Sequence, residues 1–299
     1  MTLEATEGPI SSVLHLAGRA AGVDTTTAEL LRYSENAIYR LPGGLVARIS
    51  RPGQQAAARR EVRIARWLED SDIAAVQAVA EIEQPVEVEN RAITFWHELP
   101  PHRPGTSADV AIALRQLHAL APPTTFTLDP VDPFVRLETR IAGAGNLDAT
   151  DRQWLNEQLT QLRGRWQQLP QGLPWCVIHG DAWVGNVVAD HHGRVILLDL
   201  ERASVGPPEW DLVHTAIKHH SFGWIAAEEY TRFCEIYGYD VVDWEGFAIL
   251  RDIREFRMTT MAAQVATSDR AGRSQALHRL ASIRGELGTR PWRGWTALQ

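Results

Sequence analysis

The sequence predicts an α+β chain in two lobes, strand-rich over residues 1–100 and mainly helical over residues 101–299. Three observations carry that prediction. Short apolar runs separated by turn residues fill the first hundred positions. Longer stretches with apolar residues at three- and four-residue spacing follow. Between them the composition changes abruptly at His97-Glu98-Leu99-Pro100-Pro101.

With 299 residues, 44% of them hydrophobic, the chain can bury a large core. A formal net charge of -7 argues against broad nucleic-acid affinity, which needs concentrated Lys and Arg. Cys176 and Cys234 have no paired spacing of a zinc or disulfide framework and read as reduced core residues. Met1–Glu7 carries acids where a secretion signal carries Lys or Arg, and no run approaches the ~20 apolar residues that span a bilayer. A soluble cytoplasmic protein, without a nucleic-acid or membrane partner, is the expectation. Oligomeric state is not legible.

In the first lobe, a helix over 10–21 precedes strands over 30–33, 37–41 and 45–49, joined through Ser34-Glu35-Asn36 and Pro42-Gly43-Gly44. Side chains alternate along a strand, so Val46 and Arg48 share one face and Leu45, Ala47 and Ile49 the other. The helix expected over 56–69 lines up Glu61, Ile64, Ala65 and Leu68 on one stripe. A glutamate on an apolar stripe needs a partner. Held by Glu61, Arg48 would offer nucleotide phosphates a fixed cation. The plainer reading is a solvated helix glutamate among many arginines. A hairpin from 86–88 to 91–96 through Glu89-Asn90 runs into the Pro-stopped segment after Trp96. That segment could offer backbone groups to a flat ligand or serve as an ordinary linker.

The second half opens with an amphipathic helix over 108–120, where His118 lies near the apolar stripe and reads as a packing histidine. An irregular Pro- and Thr-rich stretch over 122–133 leads to helices over 135–144 and 149–168. Further helices are expected over 209–220, 226–237, 242–258 and 274–288, with Asp211 in a first turn, where acids favour exposed N–H groups. Adjacent histidines at a turn, His191 and His192, read as solvent-facing, and His214, His219 and His220 as helix residues without metal spacing.

The chemistry concentrates in Cys176-Val177-Ile178-His179-Gly180-Asp181-Ala182-Trp183-Val184-Gly185-Asn186 and in Val195-Ile196-Leu197-Leu198-Asp199-Leu200. Strands over 187–189 and 195–200, joined through Asp190-His191-His192-Gly193, bring Asn186 to within about two positions of Asp199 on one face. Asp181 lies in the loop before them. Three oxygen-bearing side chains of this kind suit a hydroxyl nucleophile, magnesium ions and a nucleotide phosphate. The outline is that of a phosphotransfer centre.

These motifs resemble those of the aminoglycoside phosphotransferase and choline kinase-like small-molecule kinases, relatives of the protein kinases, over roughly Leu30 to His220. His179-Gly180-Asp181 with Asn186 is similar to the family's catalytic loop, and Asp199 to its metal-binding aspartate. The resemblance implies a two-lobed protein-kinase-like fold, with nucleotide on the N-terminal lobe and the catalytic loop and acceptor site on the C-terminal one. It implies Asp181 as catalytic base, Asn186 and Asp199 as magnesium ligands, His179 as a brace of the loop and Asp211 as the tie of its backbone. Arg48 and Glu61 become the phosphate-positioning pair, and Ser34 to Asn36 the loop over the phosphates. Val46 and Trp96 border the adenine, whose edge is read by the backbone of His97 and Leu99. Two features depart from the pattern: the usual strand lysine is Arg48, the only lysine being Lys218, and no Gly-x-Gly-x-x-Gly covers the phosphates.

The implied reaction moves the γ-phosphoryl group of ATP, with GTP as the alternative donor, to a hydroxyl of a small molecule, with Mg2+ as cofactor. Family membership favours an antibiotic such as an aminoglycoside, hence a resistance enzyme; a sugar, amino alcohol or nucleoside is the metabolic alternative. From residue 246 on, nine arginines face four acids, net +5. That disfavours a cationic acceptor unless Glu228, Glu229, Glu235, Asp240, Asp243 and Glu245 line its pocket. A non-catalytic nucleotide-binding regulator is the alternative from another class, and the missing phosphate-loop glycines count against a protein kinase.

Overall fold

The computed structural model describes residues 4–33, 36–266 and 270–296. In chain order the elements are α1 (Glu4–Ala21), β1 (Glu29–Tyr33), β2 (Ala37–Leu41), β3 (Leu45–Ile49), α2 (Gln55–Asp70), β4 (Val86–Val88), β5 (Arg91–His97), β6 (His102–Pro104), α3 (Ser107–His118) and α4 (Leu137–Ala142). There follow α5 (Ala149–Gln167), β7 (Cys176–Ile178), β8 (Val187–Asp190), β9 (Val195–Leu197), β10 (Ser204–Gly206), α6 (Glu209–His220), α7 (Ala227–Tyr237), α8 (Phe247–Val265) and α9 (Arg270–Ile283). Short 3-10 turns cover Val184–Asn186, Leu200–Arg202 and Val241–Asp243. This is the mixed architecture expected, an antiparallel sheet in the N-terminal region and helices in the C-terminal part. By internal packing the chain forms two compact units, Met1–Gly105 with Val184–Ala203, and Thr106–Trp183 with Ser204–Gln299.

The first unit is built on an antiparallel sheet of order β1-β2-β3-β5-β4. Glu89 and Asn90 both take positive φ, 48° and 61°, in the two-residue turn between β4 and β5, the geometry that matches strand twist. One face of the sheet, including Ala47, Ile49, Ile93 and Phe95, packs on Ile10, Val13, Leu14 and Ala17 of α1. The other face carries Val46 and Arg48, opposite Trp96 and Thr94 of β5. A second sheet, β6-β8-β9, is tied to the first by residues 74–79. Leu197 N–H donates to Ala74 O (2.9 Å), and Val79 N–H to Phe95 O (3.0 Å), so one extended segment fixes the end of β9 relative to β5.

In the second unit, β7 pairs with β10 and α6 follows β10 directly after Pro207-Pro208. α3 starts with a capping box in which Thr106 and Asp109 satisfy each other's backbone N–H. α8 packs against α4, α5, α6 and α9.

Several expected boundaries move. The strand expected over 195–200 stops at Leu197, because Asp199 turns left-handed (φ 53°). The helix expected over 135–144 shrinks to α4, since Arg136 is left-handed (φ 66°) and the helix ends at Gly143. The one expected over 242–258 divides: Asp240 accepts the N–H of Val242 to cap a 3-10 turn, and α8 begins after Gly246 and runs on to Val265. The last helix, expected over 274–288, is α9, which starts earlier and ends at Ile283. Three-residue strands β6, β7 and β10 carry no periodicity that marks them. Cys176 and Cys234 are free and half-buried rather than core. Among the described residues no helix is long and apolar enough to cross a membrane.

Candidate active site

In the first unit, alternation along β3 and the stripe on α2 bring Arg48 and Glu61 together. Arg48 Nη1 lies 2.6 Å from Glu61 Oε1, and Nη2 lies 3.4 Å from Glu201 Oε2. With its amide oxygen turned toward the guanidinium, Asn36 accepts from Nε at 3.0 Å and Nη2 at 2.8 Å. Three partners therefore fix the plane of the fork. Burial pushes the Glu61 carboxyl up to about 7; Arg48 opposes this, and Asp199 and Glu201 reinforce it. Burial would lower the Arg48 guanidinium, but the same three carboxylates outweigh it and hold it above its ordinary value.

Val46 and Trp96 face each other across β3 and β5, with the indole N–H donated to Thr94 Oγ1 at 2.8 Å. His97 is the last residue of β5, and its N–H is already taken by Gln77 O at 2.9 Å. Leu99 follows in the non-regular segment before β6. Ser34 lies outside the described residues.

Asn186, 8% exposed, closes the 3-10 turn before β8, and its carbonyl accepts from Leu198 N–H at 2.9 Å. Asp199 is thereby one position from the residue that pairs with Asn186. Its left-handed backbone is a conformation a non-glycine residue rarely holds. Its Oδ1 is buried and, among the described residues, has no hydrogen-bond partner. A buried carboxylate oxygen with no donor, one position from the residue that pairs with a buried asparagine, offers the kind of oxygen ligand that fits a hard divalent cation. Among the described residues no cluster of three His, Cys, Asp or Glu offers another metal centre.

In the second unit, the loop after β7 turns at Gly180, whose φ of 82° suits a residue without Cβ. Asp211, in the first turn of α6, accepts the N–H of His179 at 2.7 Å and of Gly180 at 2.8 Å. The β7–β10 pairing explains the reach, because it returns the chain to the loop just before α6 begins. Burial would raise the Asp211 carboxyl; the hydrogen bond and charge of His118, together with the charge of Arg254, overcome it and hold it below its ordinary value. The buried His179 accepts the N–H of Asp181 on Nδ1 at 3.3 Å, which puts its own proton on Nε2.

The Asp181 side chain is 45% exposed, with His214 Nδ1 and Arg254 Nη1 each 3.7 Å from Oδ1. Arg254 is nearly buried behind the loop, 3.9 Å from the centre of the Trp210 ring, and donates to Gly180 O at 3.1 Å and Trp210 O at 2.8 Å. Burial first, then the charges of Arg254, Lys218 and Arg257, drives the His214 imidazole well below its ordinary range. His214 therefore meets Asp181 as a neutral ring.

A family model described as the phosphotransferase enzyme family matches residues 30–250. The chain belongs to this family. It is accordingly a phosphotransferase acting on hydroxyl groups, of the small-molecule kinase class. No curated protein sequence matches it. Among solved structures, an amicoumacin kinase in complex with AMP-PNP and Ca2+ is 12% identical, covering 97% of this chain and 98% of that one, with a TM-score of 0.73. A choline/ethanolamine kinase family protein from Mesorhizobium loti is 18% identical over 97% and 96%, TM-score 0.60. An aminoglycoside phosphotransferase from Streptomyces rimosus is 22% identical over 83% and 98%, TM-score 0.60. At these identities the likeness is one of fold.

For this phosphotransferase, sequence reasoning missed Arg254 and the support role of His118. His118 bonds Asp211 Oδ2 at 3.2 Å and the Tyr237 hydroxyl at 2.9 Å. Its place near an apolar stripe was the available signal. Arg254 is one arginine among nine and carried none. Of the six carboxylates considered as a pocket lining, Asp240 takes the Tyr230 hydroxyl at 2.6 Å, Glu235 lies 3.4 Å from Arg232, and Glu229 takes the Ser107 hydroxyl at 2.5 Å.

Proposed function

We propose that the protein transfers the γ-phosphoryl group of ATP to a hydroxyl of a small molecule in the cytoplasm, with magnesium as cofactor. The N-terminal unit would bind the nucleotide and the C-terminal unit the acceptor. The observation that carries the reading is the way Asp211 fixes the loop. With the His179 and Gly180 backbone pinned, Asp181 is presented half-exposed from a rigid base, as a group that must orient an incoming hydroxyl requires. Asp181 then accepts the hydroxyl proton as phosphoryl transfer proceeds. Asn186 and Asp199 would hold the magnesium, which when bound neutralises phosphate charge. Arg48, its fork aligned by Glu61 and Asn36, positions the phosphates, Asn36 marking the loop that Ser34 begins. Val46 and Trp96 flank the base, read by the backbone of His97 and Leu99; since the His97 N–H is taken by Gln77 O, its carbonyl is the group in play.

The kinases of similar fold act on both antibiotics and small metabolites by name, so the acceptor is open between those classes. The non-catalytic alternative is disfavoured by Asp181, since a protein that only binds nucleotide gains nothing by presenting a half-exposed carboxylate from a pinned loop. Asp181→Asn tests the reading. Phosphoryl transfer falls by about 10²–10⁴, the usual contribution of general base catalysis, while nucleotide affinity, measured by calorimetry, is retained. Full turnover in this variant would remove Asp181 from its role.

A further inference from the structure

One buried cation has no part in that reading. Lys218, the only lysine in the chain, lies on α6 and is 8% exposed. Its ammonium stands 5.5 Å from the centre of the Trp183 ring. Among the described residues it forms no hydrogen bond or close ion pair. Such a group is costly to bury unless something meets its charge. Trp183 is 40% exposed and stands two residues after Asp181. An open indole face and an ammonium therefore sit next to the proposed base.

Cations and carboxylates alternate on this side of Asp181, with Arg254 and Lys218 set against Asp181 itself and Glu229. Arg254 Nη1 is 3.7 Å from Asp181, and His214 is held neutral by burial and by Arg254, Lys218 and Arg257. Glu229, the carboxylate felt by Lys218 besides Asp181, is engaged by the Ser107 hydroxyl at 2.5 Å. A cationic group seated on the indole would stand against the Lys218 ammonium, whereas an anionic oxygen would be met by it.

We propose that Lys218 and Trp183 form the acceptor subsite beside Asp181, and that this subsite takes a hydroxylated small molecule bearing a carboxylate or similar anionic oxygen group. The carbon skeleton packs on the indole and the anionic oxygen accepts from the Lys218 ammonium. This rests on the phosphotransferase reading above and narrows its acceptor.

Because the chain has one lysine, 15N-lysine labelling gives a single side-chain ammonium signal that reports on Lys218 alone. The test titrates labelled protein, loaded with AMP-PNP and Mg2+, against three probe sets: hydroxy acids such as gluconate, matched neutral polyols such as sorbitol, and polyamino alcohols such as kanamycin. ADP release from ATP is measured over the same sets. The expected result is a shift of the Lys218 signal and ADP release with hydroxy acids. In Lys218→Met, the KM for those acceptors should rise at least about tenfold, the loss of one charge-assisted hydrogen bond, with the effect on KM rather than kcat. Turnover confined to polyamino alcohols, or a Lys218 signal unmoved by every hydroxy acid, overturns the proposal, and the second readout needs no variant. A signal that shifts with hydroxy acids while no set releases ADP supports the subsite and sinks the phosphotransferase reading instead.

Discussion

Arg48 and Asp181 are held in opposite ways. Arg48 is fixed through its side chain, with Glu61, Glu201 and Asn36 occupying its fork. Asp181 is fixed through its backbone, with Asp211 gripping the two preceding N–H groups and His179 accepting its own N–H. The difference fits the role proposed for each group. A cation that positions phosphates works by standing still, so carboxylates can align it without spoiling its charge. A base must change its proton and meet a substrate, so its rigidity has to come from the main chain while its carboxylate stays half-exposed.

Variants on the two sides should break the comparison in different places. The largest effect is expected from Asp211→Ala, which leaves two buried backbone donors and His118 without their acceptor. Loss of one member of a buried charged network costs about 3–5 kcal/mol. Thermal unfolding should show that loss, and kcat should fall with it as the loop loosens. An unchanged melting temperature would mean that Asp211 is only a helix-end acid. Next is Arg48→Met, for which about a 10- to 100-fold rise in the KM for nucleotide is expected from lost charge-assisted contacts, read from initial rates at saturating acceptor. A change in kcat alone would take Arg48 out of ground-state phosphate binding.

The smallest effect is one of pH. Glu61, ordinarily near 4.5, is pushed up to about 7 by burial. The folded protein therefore binds more protons than the unfolded chain between those values, and stability falls as pH rises through that window. Urea titrations of metal-free protein across pH 4.5–7 should show the decline from this group, and Glu61→Gln should flatten it. An identical slope in the variant would assign the pH dependence to other groups.

The pairing of Arg48 with Glu61 was legible because two local periods, alternation in a strand and the stripe of a helix, each selected one residue. The nearness of Asn186 and Asp199 was legible from a hairpin with a clear turn. Contacts made by tertiary return were not. Asp211 reaches the His179 loop only because strands of three residues, β7 and β10, pair, and three residues show no period. Arg254 comes from a helix 73 positions after Asp181 in an arginine-rich stretch where spacing singles out none. The left-handed turn at Asp199 broke a strand that composition alone extends to Leu200. Asn36 read as a turn former, and its bond to Arg48 depended on which way an amide faces.

The most direct test of small-molecule phosphoryl transfer is 31P NMR of the protein with ATP, Mg2+ and a panel of hydroxyl compounds spanning hydroxy acids, sugars, nucleosides, amino alcohols and aminoglycosides. The account predicts a new phosphomonoester signal with at least one class, matched mole for mole by ADP. Magnesium-dependent binding of ATP with no phosphoester formed from any class would contradict it.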